Sequence, residues 1–252
     1  MELIRGIWTN EDYEEFRRYL YSVADEEYRD FHSRLVPGMS ESIIGIRIPV
    51  IRKIAKEIAK GNSDSFLRCI RGDTSEERII EGLVLASKKC GYEELLDDLN
   101  RFADRINSWA VNDTVKFNGI KKYRREMTGD IGVFLNSKDP WHVRFGLKIL
   151  MDFYLDGEYI DLALELAAAV NSDNYYVCMM QGWLFATAAV KYSDKVFDLL
   201  ESGRINDEVI VITAGKMRDS YRISNTDKER VRGIKARIRD ERKRGRKNAE
   251  KQ

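Results

Sequence analysis

The chain has 252 residues, with 43 Lys+Arg against 42 Asp+Glu, 43% hydrophobic and 34% charged residues. At roughly 150 residues per domain the length fits one extended domain or two small ones, and an apolar fraction near the globular norm excludes a disordered chain. The longest uncharged stretch, Asn174 to Val190, has only 17 residues and is interrupted by Gln181, Gly182 and Thr187, too short for a membrane span.

The first segment, Met1 to Phe16, carries Glu2, Glu11, Asp12, Glu14 and Glu15 and no apolar run of signal-peptide type. A cytoplasmic protein is therefore expected, nucleoid-associated if the cell is prokaryotic. Next, Ile48, Ile51, Ile54, Ala55 and Ile58 recur at helical spacing, and so do Ile79, Ile80, Leu83, Val84 and Ala86. Between them Thr74-Ser75-Glu76-Glu77 predicts a capping box, because the Thr74 hydroxyl accepts a free amide while Glu77 reaches back. Gly61-Asn62, Gly91, Gly157 and Gly203 punctuate further helix ends. Only three prolines occur and no β-branched run alternates at period two, so strands have no support. The chain reads as all-α, with roughly twelve helices joined by short turns. Helix pairs of about 35 to 45 residues cannot bury their apolar faces alone, so they are expected to stack into a curved solenoid with a concave binding face. A compact bundle is the alternative.

Three segments stand out in chain order. In Asn107-Ser108-Trp109-Ala110-Val111-Asn112-Asp113-Thr114, a cap at Asn107 or Ser108 puts Trp109 and Asp113, four apart, on one face of a helix start. Either they form an indole-carboxylate surface, or Trp109 belongs to the core and Asp113 merely complements the helix dipole. In Lys138-Asp139-Pro140-Trp141-His142-Val143-Arg144-Phe145-Gly146-Leu147-Lys148, Asp139 caps a proline at the first helical position. Arg144 and Lys148 then make a basic face headed by Trp141, suited to a phosphate, or a solvated pair of bases. In Asn174-Tyr175-Tyr176-Val177-Cys178-Met179-Met180-Gln181-Gly182-Trp183-Leu184, Val177, Met180 and Leu184 read as core. Tyr176 and Trp183 share the opposite concern: seven apart on one face, with Gly182 leaving room for a planar partner beside the indole.

The end of the chain is basic. Residues 228 to 252 hold 12 of the 43 Lys+Arg and 4 of the 42 Asp+Glu, a net of +8, which leaves a net of −7 for residues 1 to 227. Such a tail is either a polyanion footprint or a solvated terminal helix. The expected organisation is a helical-repeat domain over 1-225 and a basic helix or tail over 226-252.

Standard catalytic signatures are missing. There is no Gly-x-Gly-x-x-Gly, Ala214-Gly215-Lys216-Met217 lacks the other residues of a P-loop, and neither H-E-x-x-H nor G-x-S-x-G occurs. Cys69, Cys90 and Cys178 are odd in number, far apart, and form no C-x-x-C pair, against a disulfide framework or zinc site.

Taken together the motifs resemble the DNA alkylation repair proteins of the AlkD type, HEAT-like helical-repeat DNA glycosylases. Gly45-Ile46-Arg47-Ile48-Pro49-Val50-Ile51-Arg52-Lys53-Ile54-Ala55-Lys56 is similar to the family's segment G-[IV]-R-x-P-x-x-R-x-x-A-K. Trp109 with Asp113 resembles its Trp-x-x-x-Asp, Trp141 with Arg144 its Trp-x-x-Arg, and Tyr175-Tyr176-Val177-x-Met179 with Trp183 its last aromatic segment. The order matches from about residue 28 to 225. The resemblance implies excision of cationic N3- or N7-alkylated purines from double-stranded DNA, with the damaged base left in the stack rather than flipped out. It implies Asp113, Trp109 and Trp183 as catalytic residues, Asp113 orienting water or stabilising the sugar cation and the two indoles cradling the charged nucleotide. Arg144 would hold a phosphate, with Lys148, Arg47, Arg52, Trp141 and Tyr176 also toward DNA. No cofactor, metal or membrane partner is expected, and a monomer is. Tyr28 or Phe31 is expected to supply a third aromatic. Two positions depart from the family pattern: Asn112 precedes the acid where an apolar or small residue is expected, and Ala186, one turn after Trp183, offers no base. Family members that bind distorted or branched DNA without excision supply a second reading, and a protein-protein scaffold a third.

Overall fold

The computed structural model describes residues 1–35 and 43–249, and among these the regular structure is entirely helical. Contacts divide the chain into two compact units, Met1–Asp130 and Ile131–Gln252. The first contains α1 (Asn10–Ser22), α2 (Glu26–Leu35), α3 (Ile48–Ile58), α4 (Ser63–Cys69), α5 (Ser75–Ser87), α6 (Tyr92–Ala103), α7 (Trp109–Thr114) and α8 (Arg124–Asp130), with a 3-10 turn at Asn118–Lys122 before α8. The second contains α9 (Gly132–Leu135), α10 (Pro140–Phe153), α11 (Ile160–Ala169), α12 (Tyr175–Ala188), α13 (Ser193–Glu201), α14 (Asp207–Asp219) and α15 (Asn225–Ala249). Among the described residues fifteen α-helices thus stand where about twelve were expected; the surplus comes from pieces of four to seven residues such as α4, α7 and α9, too short to show a period in sequence.

Within each unit a helix packs both on its neighbour and on the next helix but one: α3 on α5 and α5 on α7, then α10 on α12 and α12 on α14. That is how stacked helix pairs bury faces that no pair can bury alone, and within each unit the helices have the arrangement of an α-solenoid. The predicted start signals form as read. Thr74 and Glu77 close a capping box on α5, Asp139 caps α10 ahead of Pro140, and of Asn107 and Ser108 it is Ser108 that caps α7; Asn62, read with Gly61 as a helix end, is also the N-cap of α4.

In the first unit α5 is the polar spine. Glu76, Glu77 and Glu81 are all buried, and a buried carboxylate is tolerated only when its oxygens are satisfied. Glu76 accepts from the backbone N–H groups of Ile44, Gly45 and Ile46 at 3.0, 2.7 and 3.3 Å. Glu77 takes the Tyr13 hydroxyl as well as the cap, and Glu81 takes the Arg101 and Arg105 guanidiniums at 2.7 and 3.1 Å. The second unit is centred on α12, which is apolar around its circumference, with Val177, Met180, Leu184 and Phe185 fully buried. A helix of that kind belongs inside. Gly182 lies on it where an added Cβ would stand 2.6 Å from Ile212 Cγ2 of α14. The expectation that Gly182 leaves room for a planar partner is therefore corrected: α14 fills that space, and the glycine is there to let two helices approach.

Candidate functional site

The first unit presents Trp109 and Asp113 from α7. Ser108, in extended conformation, accepts from the Val111 N–H at 3.4 Å and so sets the helix to begin at Trp109. Ala110, Val111 and Asn112 are buried, whereas Trp109 and Asp113 are half-buried. An indole and a carboxylate thus project from one face of a single turn, anchored by apolar neighbours on the other. Asn112, the departure from the family pattern, is fully buried and donates from Nδ2 to Asp113 Oδ1 at 2.7 Å. The asparagine orients the carboxylate.

The segment Gly45 to Pro49 is built from the same unit. Gly45 has φ +95°, and a Cβ there would meet Asp25 O and Arg29 Cβ at 2.6 Å, so only glycine is tolerated. With Glu76 gripping three successive amides, the chain is delivered to Arg47, the N-cap of α3, and Pro49 lies in the first turn. Arg47 Nε donates to Asp25 Oδ2 at 2.8 Å, and its guanidinium lies 5.1 Å from the Tyr28 ring centroid. The Tyr28 N–H bond, followed by Arg47, holds the Asp25 carboxyl below its usual range. Arg52 is exposed on α3. Of the two candidates for a third aromatic, Tyr28 is half-buried and stacks on His32 at 5.6 Å, and Phe31 is exposed. Burial lowers the His32 pKa, opposed in part by Glu76.

The second unit holds Trp141, Arg144 and Lys148 on α10 and Tyr176 and Trp183 on α12. Trp141 and Tyr176 stack with centroids 4.9 Å apart. Arg144 is 4% exposed and donates from Nη1 to the Tyr176 carbonyl at 2.7 Å; Lys148 is 6% exposed and pairs with Asp152 at 2.5 Å. The alternative of a solvated pair of bases is thereby corrected, because both heads are packed against α10 and α12. Trp183 is 39% exposed, and the Lys216 ammonium sits 5.4 Å from its ring centroid. This cation-π contact comes from α14, 33 positions on, and no local spacing could announce it. Ala186 is buried. The starts of α10 and α12 open on a polar cleft of about 560 Å3 lined by Ser137, Lys138, Asn171 and Ser172. Asp139 accepts from Trp141 N–H, and Asn174 from Tyr176 and Val177 N–H, which are the donors an anion would otherwise use. Among the described residues no group of three His, Cys, Asp or Glu side chains is placed to hold a metal ion, and no helix is long and apolar enough to cross a membrane.

The first unit thus carries an indole-carboxylate pair on α7, and the second, described by itself, carries the Trp141–Tyr176 stack and a partly exposed Trp183 within an all-helical array. The model of the family described as DNA alkylation repair enzyme matches residues 14–218. The chain belongs to that family, and DNA alkylation repair is its function class. Comparison with curated proteins finds no match.

Proposed function

We propose that the protein is a DNA glycosylase that hydrolyses the N-glycosidic bond of cationic N3- or N7-alkylated purines in duplex DNA, leaving the base in the stack. The observation that carries the reading is Asp113, half-buried beside Trp109 on one turn and oriented by Asn112 at 2.7 Å. Alkylation makes the purine a good leaving group because it departs neutral, and the sugar it leaves becomes an oxocarbenium-like cation. A fixed carboxylate and aromatic faces stabilise that charge as it develops. Asp113 also accepts a proton from the water that attacks the anomeric carbon. Trp109 and Trp183 supply faces to the charged nucleotide.

Arg47 and Arg52, being exposed, reach the phosphate backbone directly. Arg144, Lys148, Trp141 and Tyr176 are assigned to DNA as well, with Arg144 acting through the start of α12, whose Tyr176 carbonyl it holds. The reading needs neither cofactor nor metal, and takes a monomer as the active form.

The test is release of free base from duplex DNA methylated at guanine N7 and adenine N3, with undamaged duplex as control. Release from the alkylated duplex alone is expected. Wild-type protein that binds such DNA and frees no base would rule the enzyme out and leave a non-excising binder of damaged or branched DNA.

A further inference from the structure

The family match ends at residue 218, whereas α15 runs from Asn225 to Ala249 and carries the most basic part of the chain. Its first half is anchored. Val231, Ile234 and Ile238 are buried, and the helix packs on α14. On one flank Arg230 stands 4.1 Å over the Phe197 ring and 3.1 Å from Glu201, and Arg237 is 4.0 Å from Glu201. That side is committed to α13.

On the other flank Lys228, Arg232, Lys235 and Arg239 follow one another at spacings of four, three and four, which on a helix is a single stripe. Arg232, Lys235 and Arg239 are exposed and Lys228 is half-buried. The same spacing continues in the sequence to Arg242 and Arg246. No acid falls within the stripe from Lys228 to Arg239: Glu229 and Asp240 lie roughly 90° and 110° around the axis from its centre. Arg232 does pair with Glu229, and Arg239 with Asp240 at 3.4 Å, but all four side chains are more than half exposed. Exposed pairs of this kind are worth little and exchange readily.

We infer that this face of α15 is a second DNA contact, a phosphate-backbone clamp outside the region that the family shares; it rests on the proposal that duplex DNA is the substrate. From Lys228 to Arg239 the stripe extends roughly 17 Å, over which a duplex presents about ten phosphates. The charge balance points the same way. Residues 1 to 227 carry a net of −7 and residues 228 to 252 a net of +8, so without its last helix the protein would approach a polyanion as an anion itself. An anionic membrane fits less well, because an interfacial helix needs an apolar face to insert and the apolar residues of α15 are already buried in the protein.

The test compares the full chain with Arg232→Ala/Lys235→Ala/Arg239→Ala, both checked for equal helix content and thermal midpoint, by fluorescence anisotropy on an undamaged duplex. Loss of three phosphate contacts should reduce the slope of log affinity against log salt by about 2.7, so the affinity lost between about 50 and 200 mM salt shrinks by roughly 40-fold. A charge-retaining Arg232→Lys/Arg239→Lys chain should keep the slope. An unchanged slope in the triple variant overturns the inference, as does a wild-type chain with no duplex affinity. Binding to vesicles of phosphatidylserine and phosphatidylcholine that exceeds duplex binding and is lost in the triple variant reassigns the face to membranes and also overturns it. Base release is scored in parallel: a reduced slope without any release removes the glycosylase reading and keeps this one, and release with an unchanged slope does the reverse.

Discussion

Asp113→Asn isolates the charge that the mechanism requires. The two side chains are isosteric, Asn112 Nδ2 retains an oxygen acceptor at the 2.7 Å contact, and the buried residues that anchor α7 are untouched. The change of interest is in the interaction with the sugar cation. Asp113 is half-buried, so an effective dielectric constant of about 20 is appropriate. A carboxylate at roughly 4 to 5 Å from the positive centre then contributes about 3 to 4 kcal/mol. If all of it is felt in the transition state, the rate falls by about 300- to 1000-fold. The assay is single-turnover release of N7-methylguanine with protein in excess, so that a weaker Kd does not enter the rate. An Asp113→Asn chain within about threefold of wild type, on the same alkylated duplex, refutes the electrostatic argument, because no isosteric loss of charge at that distance is so small.

Trp183→Ala removes one cation-π face and should slow release by about 2- to 30-fold, with less effect on a neutral lesion than on a cationic one; equal loss on both would show a packing role. Gly182→Ala places a methyl group 2.6 Å from Ile212 Cγ2 and should cost about 1 to 3 kcal/mol by denaturant titration, with much of it recovered when Ile212→Ala is added. Glu76→Gln leaves three backbone donors sharing one carbonyl oxygen and should destabilise by about 1 to 3 kcal/mol, read in the same titration. The pKa of His32 is lowered in the fold by burial, so near neutrality and below the unfolded chain binds the proton more readily. Stability should therefore fall as pH drops below about 6.5, at up to about 1.4 kcal/mol per pH unit until the folded value is passed. His32→Gln should flatten that part of the profile, and an unaltered profile would count against it.

The helices were legible because their causes are local. Thr74 with Glu77, Ser108, and Asp139 with Pro140 each act within three residues, and each cap forms as read. The roles of Glu76, Glu77 and Glu81 were not legible. Ser75-Glu76-Glu77 followed by Glu81 looks like the solvated side of a helix, and what buries these acids lies elsewhere: Ile44 to Ile46, Tyr13, and Arg101 with Arg105. The same holds for Arg144, whose carbonyl partner Tyr176 is 32 positions away, and for Gly182, which looks like space beside an indole until α14 is laid against it. Trp109 and Asp113 were placed on one face by spacing alone, but the service of Asn112 to the carboxylate needed coordinates.

If the protein is the glycosylase proposed above, Asn112 also bears on how damage is told from normal DNA. A buried amide that holds the carboxylate leaves little reorganisation to be done as the sugar turns positive, which is where preorganised charge gains its advantage. The combined effect of one oriented carboxylate, about 3 to 4 kcal/mol, and the Trp109 indole face on the same turn, about 0.5 to 2 kcal/mol, is roughly 3.5 to 6 kcal/mol, or about 300- to 30,000-fold in rate. That is ample for a purine already made cationic by alkylation, and small beside the 10^6- to 10^17-fold accelerations that enzymes supply for inert bonds. An unmodified purine must leave as an anion or be protonated first, and none of the residues assigned here donates a proton to it. Selectivity then resides in the leaving group, so excision rates across a series of N7-alkylguanines should follow the spontaneous lability of each bond. A tight-fitting pocket would instead make them follow the size of the alkyl group, and that pattern would refute a mechanism built on charge alone.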